Sequence, residues 1–331
     1  MPTPSIDEVA AAAGVHRSTV SRAFSRPDAV KRETREHVLK VAASMGYTMN
    51  PLAQALRTKV STLVPLIVPD ITNPYFAELA KAMTAAAGER GYQLVLCVTE
   101  NDPEVTARYF DATEAMYAPF AVIAPYARVF PADLESRGFA GRLVVIDRVE
   151  SDSRTPTVTV DSARGIALAL DHLFALGHTS IAYLSGISGT HTAADRRQAY
   201  RELAEKHGME PIELDSSEVG VGAGERAASE LAAMSHRPSA VIAGNDLVAL
   251  GLISALGLRG ISVPGDISVV GFDGLPLGAR SNPPLTSVQQ PFAEMGRIAI
   301  RLAEQAANGG LVEHVVLEPQ LLVRSSTREH Q

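Results

Sequence analysis

Polar and aromatic side chains follow several short apolar runs of the sequence, at the points where those runs end. They are Asn73, Tyr75, Phe76, Asp147, Arg148, Asn245 and Asp273. If the apolar runs are parallel strands, these side chains lie at the carboxyl ends of the strands, where open α/β sheets bind their ligands. Carboxylates accept hydrogen bonds from hydroxyl groups, amides and guanidinium groups donate them, and aromatic rings cover C–H faces. The set therefore predicts a site for a small polyhydroxyl molecule.

A second group of polar residues lies in the first 60 residues. A helix predicted over residues 17–24 has an apolar face and a small, basic face, and the latter carries Arg17, Ser18, Ser21 and Arg22. An arginine can bind guanine O6 and N7 with two hydrogen bonds. Other side chains nearby suit phosphate contacts, which position a protein on DNA without reading its sequence. These are Thr19, Ser21, Thr34, Arg35 and Asn50.

Three short helices are predicted around that face. The first begins at the capping box Ser5-Ile6-Asp7-Glu8 and ends at Gly14, the second spans 17–24, and the third spans 32–45. Only Gly14-Val15-His16 separates the first two helices. A short glycine turn before a helix with a basic exposed face is typical of a helix-turn-helix.

The rest of the chain alternates apolar runs with helical patterns, which predicts an α/β fold with parallel sheets. The strands are predicted at 63–68, 93–98, 121–124, 143–147, 157–160, 180–186, 211–214, 240–243 and 267–272. Intervening segments such as 74–90, 162–176 and 193–207 have helical spacing. Two halves fit the chain of 331 residues better than one sheet of nine or more strands.

Charge separates the two parts of the chain. Residues 1–60 carry nine Lys or Arg and five Asp or Glu, a net charge of +4, whereas the remaining residues carry 21 basic and 32 acidic side chains. A basic segment on an acidic body indicates that only the segment meets a polyanion.

Composition excludes several classes of protein. Hydrophobic residues make up 46% and charged residues 20%, as in a soluble chain with a core, and no apolar run reaches the roughly 18 residues that a membrane span needs. The N-terminus has no signal peptide pattern. The single cysteine, Cys97, lies in an apolar run and is predicted to be buried in a reducing compartment. We therefore expect a cytoplasmic protein.

The N-terminal motifs resemble a known family. The segment DEVAAAAGVHRSTVSRAF, followed by TRE, MGY and NPLAQALRT, is similar to the DNA-binding head of the LacI/GalR (lactose-repressor) family. The resemblance implies base reading by Arg17, Ser18 and Arg22, and further DNA contacts by Ser5 and Ala53. It also implies a hinge helix at about 51–57 that forms when two subunits meet on the operator. Leu56 would then insert into the minor groove as a wedge.

The body carries motifs of the same family, so the resemblance covers essentially the whole chain. They are VPDITNPYFAEL (68–79), VDSARGIALALDHLFALGHTSIAYLSG (160–186), AGNDLVALG (243–251), VPGDISVVGFDG (263–274) and PPLTSVQQP (283–291). The resemblance implies a two-lobed, periplasmic-binding-protein-like body that binds a small effector, with Arg196 among its ligands. The chain would pass between the lobes near residues 160, 288 and 318.

These observations predict three domains. A DNA-binding domain spans 1–49, a hinge helix and linker span 50–61, and an effector-binding and dimerisation domain spans 62–331. Its N-lobe would consist of about 62–159 and 289–318, and its C-lobe of about 160–288 and 319–331. The expected partners are an operator of double-stranded DNA, a small effector such as a sugar, and a second copy of the chain.

Two helix starts depart from the family pattern. His16 stands where a serine usually caps the second helix, and Lys31-Arg32 replaces the usual Ser-Pro at the start of the third. A weaker cap costs about 0.5–2 kcal/mol. We therefore expect an isolated head of reduced stability.

One motif indicates a different class of protein. Residues 222–227, GAGERA, match the dinucleotide-binding pattern G-x-G-x-x-A, which belongs in the first βα turn of a nucleotide-binding fold. Here the motif lies late in the chain and follows the polar run DSSEV. We interpret it as a flexible loop before a helix.

Two functions of other classes remain open. An exported sugar-binding protein would share the body but would need a signal peptide and no head. A sugar-processing enzyme would need a catalytic base and a phosphate-binding loop, which the sequence does not indicate. It also has no HExxH motif, no Cys/His pair at metal-ligand spacing, and no nucleophile elbow at GHTS (177–180). We expect a regulator with no enzymatic activity, cofactor or metal.

Overall fold

The chain folds into two compact units, which we call the head, Met1–Ser61, and the body, Thr62–Gln331. The computed structural model describes residues 4–25, 27–49, 51–125, 141–147, 155–185, 191–214 and 220–330. Regular structure in the described head is helical, whereas the body holds two six-stranded sheets with helices between their strands. The α/β fold expected from the strand–helix alternation is confirmed.

The helices of the head are α1 (Ile6–Ala12), α2 (Arg17–Ser25), α3 (Arg32–Ser44) and α4 (Pro51–Thr58). The capping box at the start of α1 is present: the Glu8 N–H donates to Ser5 Oγ at 3.3 Å, and the Ser5 N–H donates to Glu8 Oε2 at 2.6 Å. Gly14 ends the turn after α1 with a φ of +65°. The first three helices pack around buried side chains that include Val9, Val20 and Val38.

The start of α2 corrects one expectation. The Ser18 N–H donates to His16 Nδ1 at 3.2 Å, so the imidazole caps α2. The prediction of a weak cap was wrong here, because an unprotonated imidazole nitrogen accepts a hydrogen bond as a serine oxygen does. At the start of α3, in contrast, Lys31 makes no side-chain cap, as expected.

The first sheet belongs to the part of the body that we call the N-lobe. Its strands are β1 (Leu63–Val68), β2 (Gln93–Val98), β3 (Ala121–Ile123), β4 (Leu143–Ile146), β5 (Thr157–Val160) and β11 (His314–Leu317). They are parallel and run in the order β11-β5-β4-β3-β1-β2. The helices of this lobe are α5 (Pro74–Gly88), α6 (Pro103–Ala115) and α11 (Phe292–Ala307), and α5 and α11 share a core with the sheet.

The second sheet belongs to the C-lobe. Its strands are β6 (Ile181–Leu184), β7 (Ile212–Leu214), β8 (Ala240–Ala243), β9 (Ser268–Asp273), β10 (Thr286–Gln289) and β12 (Gln320–Leu322), in the order β12-β10-β9-β8-β6-β7. Only β12 runs antiparallel to its neighbour. The helices are α7 (Ser162–Ala175), α8 (His191–Lys206), α9 (Val221–Ala233) and α10 (Asp246–Leu258).

The strands β10, β11 and β12 were not predicted from the sequence. Each is short and carries polar residues, as in the TSVQ of β10, so it lacks the continuous apolar pattern of a buried strand. They lie where the chain changes sheets: it passes from β5 to α7, from β10 to α11, and from β11 to β12. Three passages therefore join the two lobes.

The glycine-rich segment 222–227 is helical, because α9 begins at Val221. The interpretation of this segment as a flexible loop was wrong. A Cβ at Gly224 would lie less than 3.0 Å from Leu252 N and Val248 O in α10. A Cβ at Gly251 would be equally close to the Val221 carbonyl oxygen. The glycines therefore allow α9 and α10 to approach each other closely, which explains the motif without a bound nucleotide.

Replacing Gly224 tests this packing. We expect Gly224→Ala to lower the free energy of unfolding by about 1–3 kcal/mol or more, because the added methyl group would overlap backbone atoms. Gly257→Ala in α10 is the matched control, since nothing lies within 4 Å of the added Cβ there. Alanine in an open helical site should raise the free energy of unfolding by about 0.5–1 kcal/mol. Urea unfolding of both variants measures the difference, and equal tolerance would contradict the close approach.

Candidate functional sites

The outward face of α2 carries the polar side chains that the sequence places there. Arg17 and Arg22 are exposed, and Ser18, Thr19 and Ser21 are half-buried. Arg17 forms an exposed ion pair with Asp7 at 3.5 Å. Arg22 turns back along the helix, where its Nε donates to the Ser18 carbonyl oxygen at 3.1 Å and its Nη2 to Ser18 Oγ at 2.9 Å. Two guanidinium groups are therefore presented on one exposed helix face.

The other predicted DNA contacts of the head lie in different surroundings. Ser5 is exposed and belongs to the capping box of α1. Thr34 and Arg35 are half-buried on α3, and Arg35 Nε is buried without a hydrogen-bond partner among the described residues. Asn50 lies outside the described residues. The structure therefore places Thr34 and Arg35 on α3, which follows α2 in the same small unit.

The predicted hinge segment is the helix α4, which contains Ala53 and Leu56. Its one buried residue with a described side chain is Ala55, whereas 66% of Leu56 is exposed. We expected this segment to be helical only when two copies meet on DNA, since isolated helices of this length are marginal in water. In the structure it is helical in a single chain. Leu56 remains an exposed apolar side chain that suits a wedge.

Two buried carboxylates end strands of different lobes. Asp147 follows β4 with a φ of 73°, and Asp273 ends β9 with a φ of 122°. Both lie in the backbone region that side chains other than glycine rarely adopt, and both are less than 10% exposed. Such conformations persist where the surrounding structure holds them, and they are common at binding sites.

Arg196 is a buried cation on α8. Its Nη1 donates to the Gly244 carbonyl oxygen at 2.7 Å, and its guanidinium carbon lies 3.6 Å from the centre of the Phe272 ring. Its Nε is buried and has no hydrogen-bond partner among the described residues. The Phe272 ring and the backbone therefore hold the guanidinium in place, while its buried Nε–H makes none of these contacts.

Asp273 accepts a hydrogen bond from Gln290 Nε2 at 2.7 Å. Burial raises the pKa of the Asp273 carboxyl well above its usual range, and the nearby Arg196 opposes that change. The oxygen of Gln290, Oε1, is buried without a partner among the described residues. Gln290 was missed by sequence reasoning, since it follows the strand β10, which was not predicted. The polar run VQQP at the end of that strand was the available signal.

Tyr75 connects the N-lobe to these groups. Its ring packs against Phe76 and Phe292, with ring centres 5.0 and 5.4 Å away, and its buried hydroxyl has no hydrogen-bond partner within 3.5 Å among the described residues. Burial raises the pKa of Tyr75. The charges of Asp147 and Asp273 and the interaction of the hydroxyl with the Asp147 side chain raise it further, whereas Arg196 lowers it. Tyr75, Asp147, Arg196 and Asp273 are therefore electrostatic neighbours. Phe76 lies in the core of the N-lobe.

The two predicted asparagines cap helices. Asn73 Oδ1 accepts from the Tyr75 N–H at 3.1 Å, and Asn245 Oδ1 accepts from the Val248 N–H at 2.8 Å. Capping occupies the carboxamide oxygens, so each side chain retains its amide N–H groups as donors. Arg148, the remaining predicted ligand, lies outside the described residues.

Asp246 is fully buried beside this site, and its carboxylate binds groups of the protein itself. Its carboxylate accepts from the Leu275 N–H at 2.6 Å and from Ser287 Oγ, which links α10 to the segment after β9 and to β10. Burial raises its pKa to about 6. Asp246 therefore holds together the elements that carry Asp273 and Gln290.

Three buried polar groups of this site have no hydrogen-bond partner within 3.5 Å among the described residues: the Tyr75 hydroxyl, Arg196 Nε and Gln290 Oε1. An unpaired buried polar group is costly, and nearly all such groups in proteins bind another protein group or an ordered water. Three unpaired groups at one site therefore indicate that a bound molecule pairs with them. The set contains both donors and acceptors. A molecule with several hydroxyl groups can satisfy both kinds at once.

Signals for other chemistries are few in the described part of the chain. No group of three His, Cys, Asp or Glu residues there could hold a metal ion. Cys97 is buried, and burial raises the pKa of its thiol to about 11, so the thiol is protonated at neutral pH. Of the helices in the described ranges, none is both long and apolar enough to cross a membrane.

Two family models match the chain. Residues 5–50 match the model described as bacterial regulatory proteins, lacI family, and residues 170–327 match the periplasmic binding protein-like domain. The first match covers α1 to α3, and the second covers most of the C-lobe with α11, β11 and β12.

Named relatives are similar over nearly the whole chain. The HTH-type transcriptional regulator DegA of Bacillus subtilis is 34% identical over 97% of both chains. A complex of the transcriptional regulator CelR with cellobiose is 28% identical, with a TM-score of 0.72 over 98% of this chain and 99% of that one. The lac repressor dimer bound to operator and the anti-inducer ONPF has the same fold, with a TM-score of 0.87, 24% identity, and coverage of 99% and 100%.

Proposed function

Because the chain belongs to the lacI family of bacterial regulatory proteins, we propose that it is a transcriptional repressor controlled by a small polyhydroxyl effector. It binds a pseudo-palindromic DNA operator as a homodimer, since two identical heads related by a two-fold axis read inverted half-sites. The observation that carries this proposal is the exposed face of α2, where Arg17 and Arg22 are solvent-exposed on a helix-turn-helix with its own core.

The head supplies three kinds of DNA contact in this proposal. Arg17, Ser18 and Arg22 read bases in the major groove, and Leu56, with Ala53 on the same hinge helix, acts in the minor groove. Phosphate contacts hold the head in register. The residues for these are Ser5, Thr19, Ser21, Thr34, Arg35 and Asn50. The division at 1–49, 50–61 and 62–331 follows from these roles.

The effector site lies at the carboxyl ends of the strands of the body. Tyr75, Asp147, Arg196 and Asp273 are its central groups. The buried Tyr75 hydroxyl, Arg196 Nε and Gln290 Oε1 beside them offer donors and acceptors that suit a sugar. Asn73, Phe76, Arg148 and Asn245 complete the proposed set. The relative CelR was solved with cellobiose, which supports a sugar as the class of effector.

A sugar-binding protein without DNA function is the alternative. It would use the same body but would have no use for the head, whose exposed arginines favour the repressor. An enzyme acting on sugars is disfavoured, since the relatives are transcriptional regulators. We propose that the protein has no enzymatic activity or cofactor and works in the cytoplasm, where it reaches DNA.

Replacing Arg22 tests the proposed function. We expect Arg22→Ala to weaken operator binding by about 1–3 kcal/mol and to relax the preference at one base pair of each half-site. The measurement uses duplexes selected by the full-length wild-type protein from a randomised library, and random duplexes as the reference. An equal loss on both would make Arg22 a phosphate contact. Binding that does not weaken with salt would contradict DNA binding altogether.

A further inference from the structure

Three side chains on the exposed face of α2 form a continuous hydrogen-bonded chain. His16 Nδ1 lies 2.9 Å from Ser18 Oγ and accepts from the Ser18 N–H at 3.2 Å. Ser18 Oγ lies 2.9 Å from Arg22 Nη2, and the Ser18 carbonyl oxygen accepts from Arg22 Nε at 3.1 Å. The capping residue is thus linked through Ser18 to Arg22, the arginine to which the proposed function gives a role in base reading.

The hydrogen atoms of this chain can be assigned in only one direction. Since the Ser18 N–H donates to His16 Nδ1, that nitrogen carries no hydrogen. The contact between Nδ1 and Ser18 Oγ then takes the serine hydroxyl as donor, and the single Nδ1 lone pair is shared between the hydroxyl and the Ser18 N–H. The arginine can only donate, so Ser18 Oγ accepts from Arg22. His16 thus orients the serine hydroxyl, and this orientation turns an oxygen lone pair toward Arg22.

The edge of Arg22 that binds Ser18 determines which donors remain. Nε and one Nη2 hydrogen point the same way from the planar guanidinium, and both are used by Ser18. The other Nη2 hydrogen and the two Nη1 hydrogens remain. The remaining Nη2 hydrogen and the Nη1 hydrogen parallel to it form the edge that can bind guanine O6 and N7 with two parallel hydrogen bonds.

We propose that His16 is a positioning residue for base reading, which acts through Ser18 to hold the Arg22 guanidinium with its Nη1–Nη2 edge toward the groove. This inference rests on the proposed function, in which Arg22 reads a base. Its physical basis is preorganisation: a long side chain that is ordered before binding loses less conformational freedom on the DNA. A cap alone would stabilise α2 without any effect on base preference.

A double-mutant cycle between His16 and Arg22 separates these two roles. The measured quantity is the ratio of the affinities of the full-length protein for the selected duplex and for the same duplex with the guanine read by Arg22 changed to adenine. We expect His16→Ala to lower this ratio about two- to tenfold in the wild-type background. In the Arg22→Ala background, His16→Ala should leave the ratio unchanged, because the positioned group is gone.

Ser18→Ala provides a second test in which α2 keeps its cap, since the backbone N–H of residue 18 still reaches His16. We expect Ser18→Ala to lower the affinity ratio as much as His16→Ala does. The ratio of the double variant should be no lower than that of either single variant, because both act through the same contact. Ser18→Thr keeps the hydroxyl and should restore the ratio. Thermal unfolding checks that each head is folded.

Two results would overturn the inference in distinguishable ways. If His16→Ala weakens binding to both duplexes equally, with and without Arg22, His16 is a cap and nothing more. If Arg22→Ala itself leaves the ratio unchanged, Arg22 is not a base reader, and the assignment in the proposed function fails together with this inference.

Discussion

Replacing Asp273 by asparagine is expected to weaken effector binding by about ten- to a hundredfold and to raise the thermal stability of the body. The loss of affinity follows because a hydrogen bond to a charged group contributes about 1.5–3 kcal/mol. The gain in stability follows because burial makes the ionised form of Asp273 unfavourable in the folded protein. Asparagine has nearly the same shape and also tolerates a positive φ.

The raised pKa of Asp273 also determines the direction in which the stability of the protein changes with pH. The pKa of Asp273 is higher in the folded chain than in the unfolded chain, so the folded state binds the proton more tightly. The contribution of Asp273 to the free energy of unfolding therefore increases as the pH falls. The increase begins near the pKa of the folded chain and is complete below the ordinary value of 3.8. The asparagine variant should lack this rise. Asp246, with a pKa of about 6, acts in the same direction but is present in both proteins.

Histidines of the C-lobe act in the opposite direction. Burial lowers the pKa values of His172 and His178, so their unfolded forms bind protons first and stability falls below about pH 6.5. Both are present in the wild-type protein and in the variant. The difference between the two pH profiles, measured by urea unfolding, therefore isolates Asp273.

The test of effector binding needs a ligand and a control. Thermal unfolding against a panel of sugars, ribose and cellobiose among them, identifies the ligand, since a ligand at 100 times its Kd adds about 2.7 kcal/mol. Titration calorimetry then compares the variants. Asp171→Asn is the control: it removes an exposed carboxylate from α7 and the same formal charge. Unchanged affinity in Asp273→Asn would remove Asp273 from the site, and operator affinity without effector should not change.

Leu56→Ala is expected to weaken operator binding by about ten- to a hundredfold and to reduce the bend of the DNA. Inserting a side chain between base pairs costs a few kcal/mol of unstacking free energy, and the additional contacts made by the bent duplex offset this cost. Alanine is too short to insert, so the bend and these contacts are lost. The stability of the free protein should change by less than about 0.5 kcal/mol, because Leu56 is 66% exposed. Gel mobility of duplexes with the site at different positions measures the bend.

A matched variant separates the wedge from a general loss of apolar surface. Leu258→Ala removes the same side chain at the end of α10, where it is 86% exposed, and should leave operator affinity and bend unchanged. Effector affinity without DNA should be unchanged in both variants. If Leu56→Ala binds and bends the operator as wild type does, the hinge helix is only a linker.

Local sequence signals predicted much of the fold. The capping box at Ser5 and the glycine at position 14 fix the ends of α1 through short-range hydrogen bonds and backbone geometry, so the residues themselves are sufficient. Continuous apolar runs identified the buried parallel strands for the same reason. The short strands β10 to β12 depend on neighbours far along the chain, and no local pattern reveals them.

Residues whose roles depend on distant partners were harder to predict. Gly224 is explained by Leu252 and Val248, which belong to another helix. Gln290 gains its role only where it meets Asp273. At position 16 the family pattern has a serine, but an imidazole at a helix start is also an acceptor, and His16 binds the Ser18 N–H through that property.

The order of the strands also bears on how the protein is made. The N-lobe begins at β1, yet its core includes Met295, Ile300 and Leu317, which the ribosome adds more than 220 residues later. The main C-lobe cores, in contrast, draw their buried residues from positions 166 to 288. Since domains generally fold as units during synthesis, the C-lobe can fold while the earlier N-lobe is still incomplete. The first strands of the body therefore keep part of their apolar surface uncovered until residues 295–317 have been added.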